Sequence, residues 1–220
     1  MRQLGWQGTS ILAAGRTDTG VHAQGQVIAF DLEWKHPLEE LQKAINANLP
    51  SDVVVRKIQP VEAGFHPRRD ARLRCYRYCL FIQEERDPLR ERYAWRVWPA
   101  TDLTVMRAAA LLLTGQHDFS AFGTPPRPES SPVRTVYQAG WREEQFGLVF
   151  EVAANAFLYH MVRKMVYLQV VIGQGKEDLS LLSRLLKLHQ DVEGSSTLIV
   201  QGLAPANGLV LAEVQYLLKI

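Results

Sequence analysis

Hydrophobic and aromatic positions fill Leu73–Ile82, broken only by the polar Arg74 and Arg77, and the run reads as a strand. The period of two then puts Arg74, Tyr76, Tyr78, Leu80 and Ile82 on one face, and Leu73, Cys75, Arg77, Cys79 and Phe81 on the other. The pattern predicts further strands over Val27–Leu32, Val53–Ile58, Thr135–Trp141, Leu148–Ala153 and Gly208–Leu217. Helical spacing appears at Leu38, Leu41, Ala44 and Ile45, behind Pro37 and ending near Asn48 ahead of Pro50. Leu103–Leu113 reads as a second helix, capped by Thr101 or Asp102 and stopped by Gly115. A long apolar helix is expected from Asn155 to about Ile172, and a shorter leucine-rich one over Leu179–His189.

Two stretches break the pattern. Gln83–Arg92 is polar, holds Asp87-Pro88 and reads as an exposed loop; it divides the chain into an N-terminal α/β half, residues 1–85, and a C-terminal α/β half, residues 93–220. Gly123–Pro132 holds four prolines in ten residues and is expected to be an extended loop. Helices separate some strands but not others, so the fold class is α+β rather than a strictly alternating doubly wound sheet.

Composition changes this picture little. The 220 residues are 47% hydrophobic and 22% charged, as in ordinary globular proteins. A net charge of +2 does not announce a nucleic-acid partner, but its distribution matters more than its total. Five arginines fall between Arg68 and Arg77 against one acid, Asp70, with Tyr76 and Tyr78 interleaved. Arg68, Arg69 and Arg74 beside aromatic rings suit phosphate contact and base stacking; the alternative is a solvated strand face whose arginine stems cover apolar neighbours. Cys75 and Cys79 share a strand face but lie too far apart to bond within it. With no apolar run of membrane length and no secretory signal pattern, the expected location is cytoplasmic and no membrane is involved. His22, His117, Asp118 and His160 follow no metal-ligand spacing, and Gly173-Gln174-Gly175-Lys176 lacks the pattern of a phosphate-binding Walker loop.

Candidate chemistry concentrates in Gly15-Arg16-Thr17-Asp18-Thr19-Gly20-Val21-His22-Ala23. Two glycines five apart allow a sharp turn and close approach to a ligand, Arg16, Thr17 and Thr19 supply donors for an anionic group, and Asp18 is placed for nucleophilic catalysis. The alternative is an Asp18 that only bonds its own turn.

Further along stand Asn46-Ala47-Asn48-Leu49-Pro50, Phe65-His66-Pro67-Arg68, Arg74-Cys75-Tyr76-Arg77-Tyr78, Asp118-Phe119-Ser120-Ala121-Phe122, Asn155-Ala156-Phe157-Leu158-Tyr159-His160-Met161-Val162-Arg163 and Gly208-Leu209-Val210-Leu211. In this order they resemble segments of the TruA family of tRNA pseudouridine synthases, whose hallmark is a GRTDxGVHA loop with a catalytic aspartate. The resemblance covers nearly the whole chain. It implies the pseudouridine synthase fold, in which two α/β halves share a mainly antiparallel sheet with the active cleft between them. It also implies isomerisation of uridine to pseudouridine at positions 38–40 of the tRNA anticodon stem-loop, without a cofactor, by a homodimer sharing the tRNA.

On the resemblance Asp18 is the catalytic aspartate, attacking C1′ or C6 or mainly assisting cleavage. Tyr76 is the tyrosine set against the target base, Arg163 ends the ANAFxxHMVR segment, and Leu209 is the apolar residue packed on the base. A cation such as Arg163 near Asp18 would favour the ionised acid, while Arg16 would orient the extruded nucleotide or its phosphate. RNA would order the proline-rich loop. The family pattern normally begins about forty residues earlier, so Met1–Gln7 reads as the tail of a helix that leads into the GRTD segment. The alternative function is a catalytically inactive RNA-binding module that keeps the arginine and tyrosine surface.

Overall fold

The computed structural model describes residues 4–127, 129–187 and 198–217. In chain order the elements are β1 (Leu12–Ala13), β2 (His22–Ala23), β3 (Ile28–Ala29), α1 (Leu38–Asn46), β4 (Ala71–Ile82), β5 (Trp95–Val97) and α2 (Leu103–Leu112). They continue with β6 (Gly115–Asp118), β7 (Val133–Glu144), β8 (Gly147–Ala154), α3 (Met161–Gly173), α4 (Leu179–Lys187) and β9 (Leu209–Tyr216). The chain forms two compact units, Met1–Gly15 with Val27–Asp70, and Arg16–Gln26 with Ala71–Ile220. The changeovers fall outside the polar loop of residues 83–92, which belongs to the second unit and carries a 3-10 turn at Arg90–Arg92.

In the smaller unit β1 pairs antiparallel with β3, Leu12 opposite Ala29, and Ala14 N–H donates to Val27 O at 2.9 Å. Pro37 opens α1, whose Leu41 and Ile45 are buried. The strand expected at Val27–Leu32 therefore shrinks to two residues, because β1 offers only two partners. The strand expected at Val53–Ile58 does not form. Its backbone pairs with side chains of α1 instead: Val55 N–H donates to Asn46 Oδ1, while Asn46 Nδ2 and Gln42 Nε2 donate to Val55 O. Residues 4–7 form no α-helix, and residues 1–3 of the expected helical tail lie outside the described residues.

The larger unit is built on a seven-stranded sheet ordered β2-β9-β4-β8-β7-β6, with β5 pairing β4. Its pairs are antiparallel except β2 with β9 and β4 with β5, in keeping with the α+β expectation. The twelve-residue β4 sits centrally because both its edges are taken, one by β8 and the other by β9 and then β5. Its Tyr78 and Leu80 face the helices, while Phe81 on the opposite face is buried with the Arg90 guanidinium over its ring. Tyr78 and Leu80, with Trp141 of β7 and Phe150 and Val152 of β8, pack into one core with Met106 and Ala110 of α2, Met165 and Val166 of α3 and Leu182 of α4. Asp102 caps α2, its Oδ1 accepting from the N–H groups of Thr104 (2.7 Å) and Val105 (3.2 Å). The one buried polar side chain in this core among the described residues, Gln169, is satisfied by Trp141 Nε1 at 2.8 Å and by Met165 O at 3.0 Å.

Three further differences have local causes. Helix α3 starts at Met161 rather than Asn155, because β8 runs to Ala154 and Asn155 Oδ1 accepts from Thr135 N–H and Ala156 N–H across the turn. Strands β5 and β6 were not expected; at three and four residues they are too short to show a period. The end of the helix predicted to reach His189, and Pro128 of the proline-rich segment, lie outside the described residues.

Candidate active site

The Gly15–Ala23 segment leads directly into β2, and β9 is the strand that brings it to β4. His22 and Ala23 pair in parallel with Val210 and Leu211, while Tyr76 and Tyr78 of β4 pair with Leu211 and Leu209 on the other edge of β9. Opposite Tyr76 the register jumps from Cys75–Glu213 to Tyr76–Leu211, a bulge of the kind that re-aims side chains beside active sites. Gln24 and Gly25 N–H both donate to Leu211 O, at 2.9 and 3.1 Å. At Gly25 a Cβ would stand 2.4 Å from Ala212 O, so only glycine allows this approach to the bulge.

Within the loop, Asp18 O accepts from Val21 N–H at 3.0 Å, and Gly20 takes φ 86°, the left-handed region that glycine enters without penalty. Gly15 is not left-handed, so of the two motif glycines the turn itself requires only Gly20. The Asp18 carboxylate bonds none of its own turn among the described residues. Its Oδ2 accepts from Arg163 Nη1 at 2.6 Å and lies 3.4 Å from His160 Nε2. Arg163 is held in turn, because its Nε donates to Ala204 O at 2.7 Å while its own carbonyl accepts from Ala204 N–H at 3.3 Å. A face of α3 that periodicity alone leaves open to solvent thus points inward, and the Arg163 side chain is only 12% exposed.

Around this pair lies a pocket lined by Arg16, Asp18, Tyr76, Phe157, His160, Arg163 and Leu209 among others. The Tyr76 ring stands edge-on to Phe157, centroids 5.1 Å apart at 87°. Burial pushes its phenol above the ordinary value, with Arg74 opposing and the Asp18 charge adding, so at neutral pH the hydroxyl keeps its proton. Leu209 is a buried wall and Arg16 is exposed at the rim, paired with no carboxylate among the described residues. The structure therefore brings together Asp18, Arg16, Tyr76, Arg163 and Leu209, drawn from both sides of the 83–92 loop. The arrangement is a carboxylate fixed on a cation, beside a protonated phenol and an apolar wall.

The three arginines expected to meet RNA differ among themselves. Arg68 and Arg69 are exposed on the turn of residues 66–70, in the smaller unit, where their N–H groups approach His66 Nδ1 and Asp70 Oδ2 accepts from His66 N–H. Arg74 is half-buried in the larger unit, and its Nη1 donates to Asn155 O at 2.7 Å and Ala71 O at 3.2 Å.

The pocket residue to which sequence reasoning gives no role is His160, whose spacing excludes it as a metal ligand; its position within the Asn155–Arg163 segment is the available signal. The four groups considered for a metal have separate partners: His22 Nε2 meets Arg92 O, His117 Nε2 meets Thr114 O, Asp118 Oδ1 accepts from Ser120 N–H, and His160 faces Asp18.

The chain matches a family model described as tRNA pseudouridine synthase over residues 2–68 and 109–217. Asp18, Arg163 and Leu209 fall inside the matched segments, and Tyr76 falls between them. The chain is also similar to proteins named tRNA pseudouridine synthase A. It is 37% identical over 206 residues to that of Pseudothermotoga lettingae, spanning 93% of this chain and 82% of the relative. To that of Geobacillus kaustophilus it is 40% identical over 207 residues, 94% of this chain and 78% of the relative. To that of Brevibacillus brevis it is 38% identical over 208 residues, 94% and 82%.

Proposed function

The chain belongs to the tRNA pseudouridine synthase family, and on that premise we propose that it isomerises uridine to pseudouridine in the anticodon stem-loop of tRNA. The reaction breaks the bond from ribose C1′ to uracil N1 and forms one from C1′ to C5. The proton displaced from C5 is balanced by one gained at N1, so there is no redox change and no cofactor is required. The chemistry needs a carboxylate aimed at carbon, a pocket that retains the detached base, and an RNA surface that presents the nucleotide.

The observation that carries this reading is the Asp18 carboxylate fixed by Arg163 in a pocket walled by Tyr76 and Leu209. Asp18 is the catalytic residue. Arg163 anchors it, Tyr76 stacks on the base and donates from its hydroxyl, Leu209 packs on the base, and Arg16 at the rim orients the flipped nucleotide. Arg68 and Arg69, both exposed, hold tRNA phosphates. The protein works as a cytoplasmic homodimer; no described helix is long and apolar enough to cross a membrane.

The test is pseudouridine formation in an unmodified tRNA, comparing the 220-residue chain with its Asp18→Asn variant, and with a tRNA whose anticodon stem-loop uridines are replaced by cytidine. Product is expected only from the parent chain on the uridine-bearing tRNA. Turnover by Asp18→Asn would remove Asp18 from the catalytic role, product from the cytidine-bearing tRNA would move the target out of the anticodon stem-loop, and tRNA binding without product from the parent would make the chain a binding module.

A further inference from the structure

Both nitrogen contacts to the Asp18 carboxylate converge on one oxygen. Arg163 Nη1 and His160 Nε2 approach Oδ2, at 2.6 and 3.4 Å, while Oδ1 accepts from none of the described residues. We propose that His160 is a positioning residue: with Arg163 it holds Oδ2, so that Oδ1 is the oxygen presented to the uridine. The proposal rests on the reading of Asp18 as the catalytic carboxylate and assigns the division of labour between its two oxygens.

Backbone, ring packing and hydrogen bonding agree on this role. His160 is the one non-glycine residue with positive φ among the described residues, at φ 66° and ψ −3°, immediately before α3. An L residue pays an energy penalty for that conformation and keeps it where the surroundings over-determine it, which is most often at a functional site. Here the ring is stacked on Tyr159, centroids 3.7 Å apart at 29°, and its only polar partner among the described residues is Asp18. Strain, stacking and the single polar contact all aim Nε2 at Oδ2.

The charged groups around the ring explain why a histidine serves here. It faces Asp18 across the pocket, with Arg163 and Lys164 on its own helix side. Burial lowers its proton affinity, Asp18 opposes, and Arg163 and Lys164 add to the lowering, so the imidazole is neutral at pH 7. A neutral Nε2–H steers Oδ2 without drawing charge from the nucleophile as a second cation would. The 3.4 Å separation is longer than a formed hydrogen bond, and catalytic contacts of this kind tighten when substrate fills the site.

Two readouts test the proposal. The first follows the His160 ring by NMR against pH in the full chain and in Asp18→Asn. A midpoint below the ordinary histidine value is expected, falling further in Asp18→Asn because the opposing charge is gone; an unchanged midpoint would show that the two groups do not meet, and would overturn the proposal whatever the activity. The second is kinetic. His160→Gly removes the ring while suiting the left-handed backbone, and is expected to lower kcat for pseudouridine formation about tenfold to a hundredfold with KM for tRNA unchanged. His160→Gln, whose Nε2 stands near the position of the histidine Nε2, should recover part of the loss. Parent-like kcat in His160→Gly, or an effect on KM alone, would overturn the positioning role while leaving the proposed function intact. An inactive parent chain would instead overturn the proposed function, and the catalytic part of this inference with it.

Discussion

Arg163 donates Nη1–H to Asp18 Oδ2 at 2.6 Å across 145 positions of sequence, and the same guanidinium donates Nε–H to Ala204 O at 2.7 Å. The cation is therefore an anchored strut between the Asp18 loop and the segment leading into β9. Arg163→Lys keeps the charge but cannot make both bonds. We expect kcat to fall about tenfold or more and stability to fall by about 1–3 kcal/mol, read from single-turnover rates and urea midpoints. A parent-like rate in this variant would mean that charge alone suffices.

Tyr76 combines packing with a hydroxyl, and two substitutions separate them. Tyr76→Phe keeps the edge-on contact with Phe157 and should leave the thermal midpoint near that of the parent, while kcat drops about a hundredfold if the hydroxyl moves a proton. Tyr76→Ala should in addition lose about 3 kcal/mol of stability from the space it leaves. Because burial holds the phenol protonated, activity should show no alkaline limb from Tyr76 below about pH 10.

The salt dependence of tRNA binding should sort the arginines. Replacing Arg68 and Arg69 together by alanine is expected to make the slope of log K against log salt shallower by about two, one for each phosphate lost. Arg74→Ala should leave the slope unchanged and lower stability by about 1–3 kcal/mol, because its Nη1 serves Asn155 O and Ala71 O. A shallower slope in Arg74→Ala would give that residue a phosphate of its own.

Alkaline stability should report Tyr78. Its ring is fully buried, its hydroxyl donates to Pro205 O at 2.8 Å, and burial raises its phenol well above the ordinary value. A folded-state value above the unfolded one means that the stabilisation is complete below about pH 10 and is lost as pH rises from there toward the folded value, at up to about 1.4 kcal/mol per pH unit. Urea midpoints at pH 8 and pH 10.5 should differ in the parent and differ less in Tyr78→Phe. Equal pH dependence in both would show that Tyr78 ionises normally in the folded chain.

The sequence by itself determined what is written in neighbouring residues. The period-two split of Leu73–Ile82 marked β4 and put Arg74 and Tyr76 on one face, Thr101 or Asp102 marked the start of α2, and Gly15–Ala23 marked the loop that carries Asp18. These signals are local, because a side chain's face and a cap's hydrogen bonds depend on residues a few positions away. Where strand preference met a partner on the preceding helix it lost: the valine-rich segment Val53–Ile58 bonds Asn46 and Gln42 rather than a strand. Tertiary structure alone decided that β9, last in the chain, lies between β2 and β4, that Arg163 and His160 share one oxygen of Asp18, and that Arg74 engages backbone carbonyls. Each of these is a choice among partners far apart in sequence, settled by which faces bury together and which buried polar groups must be paired, and no period along the chain records it.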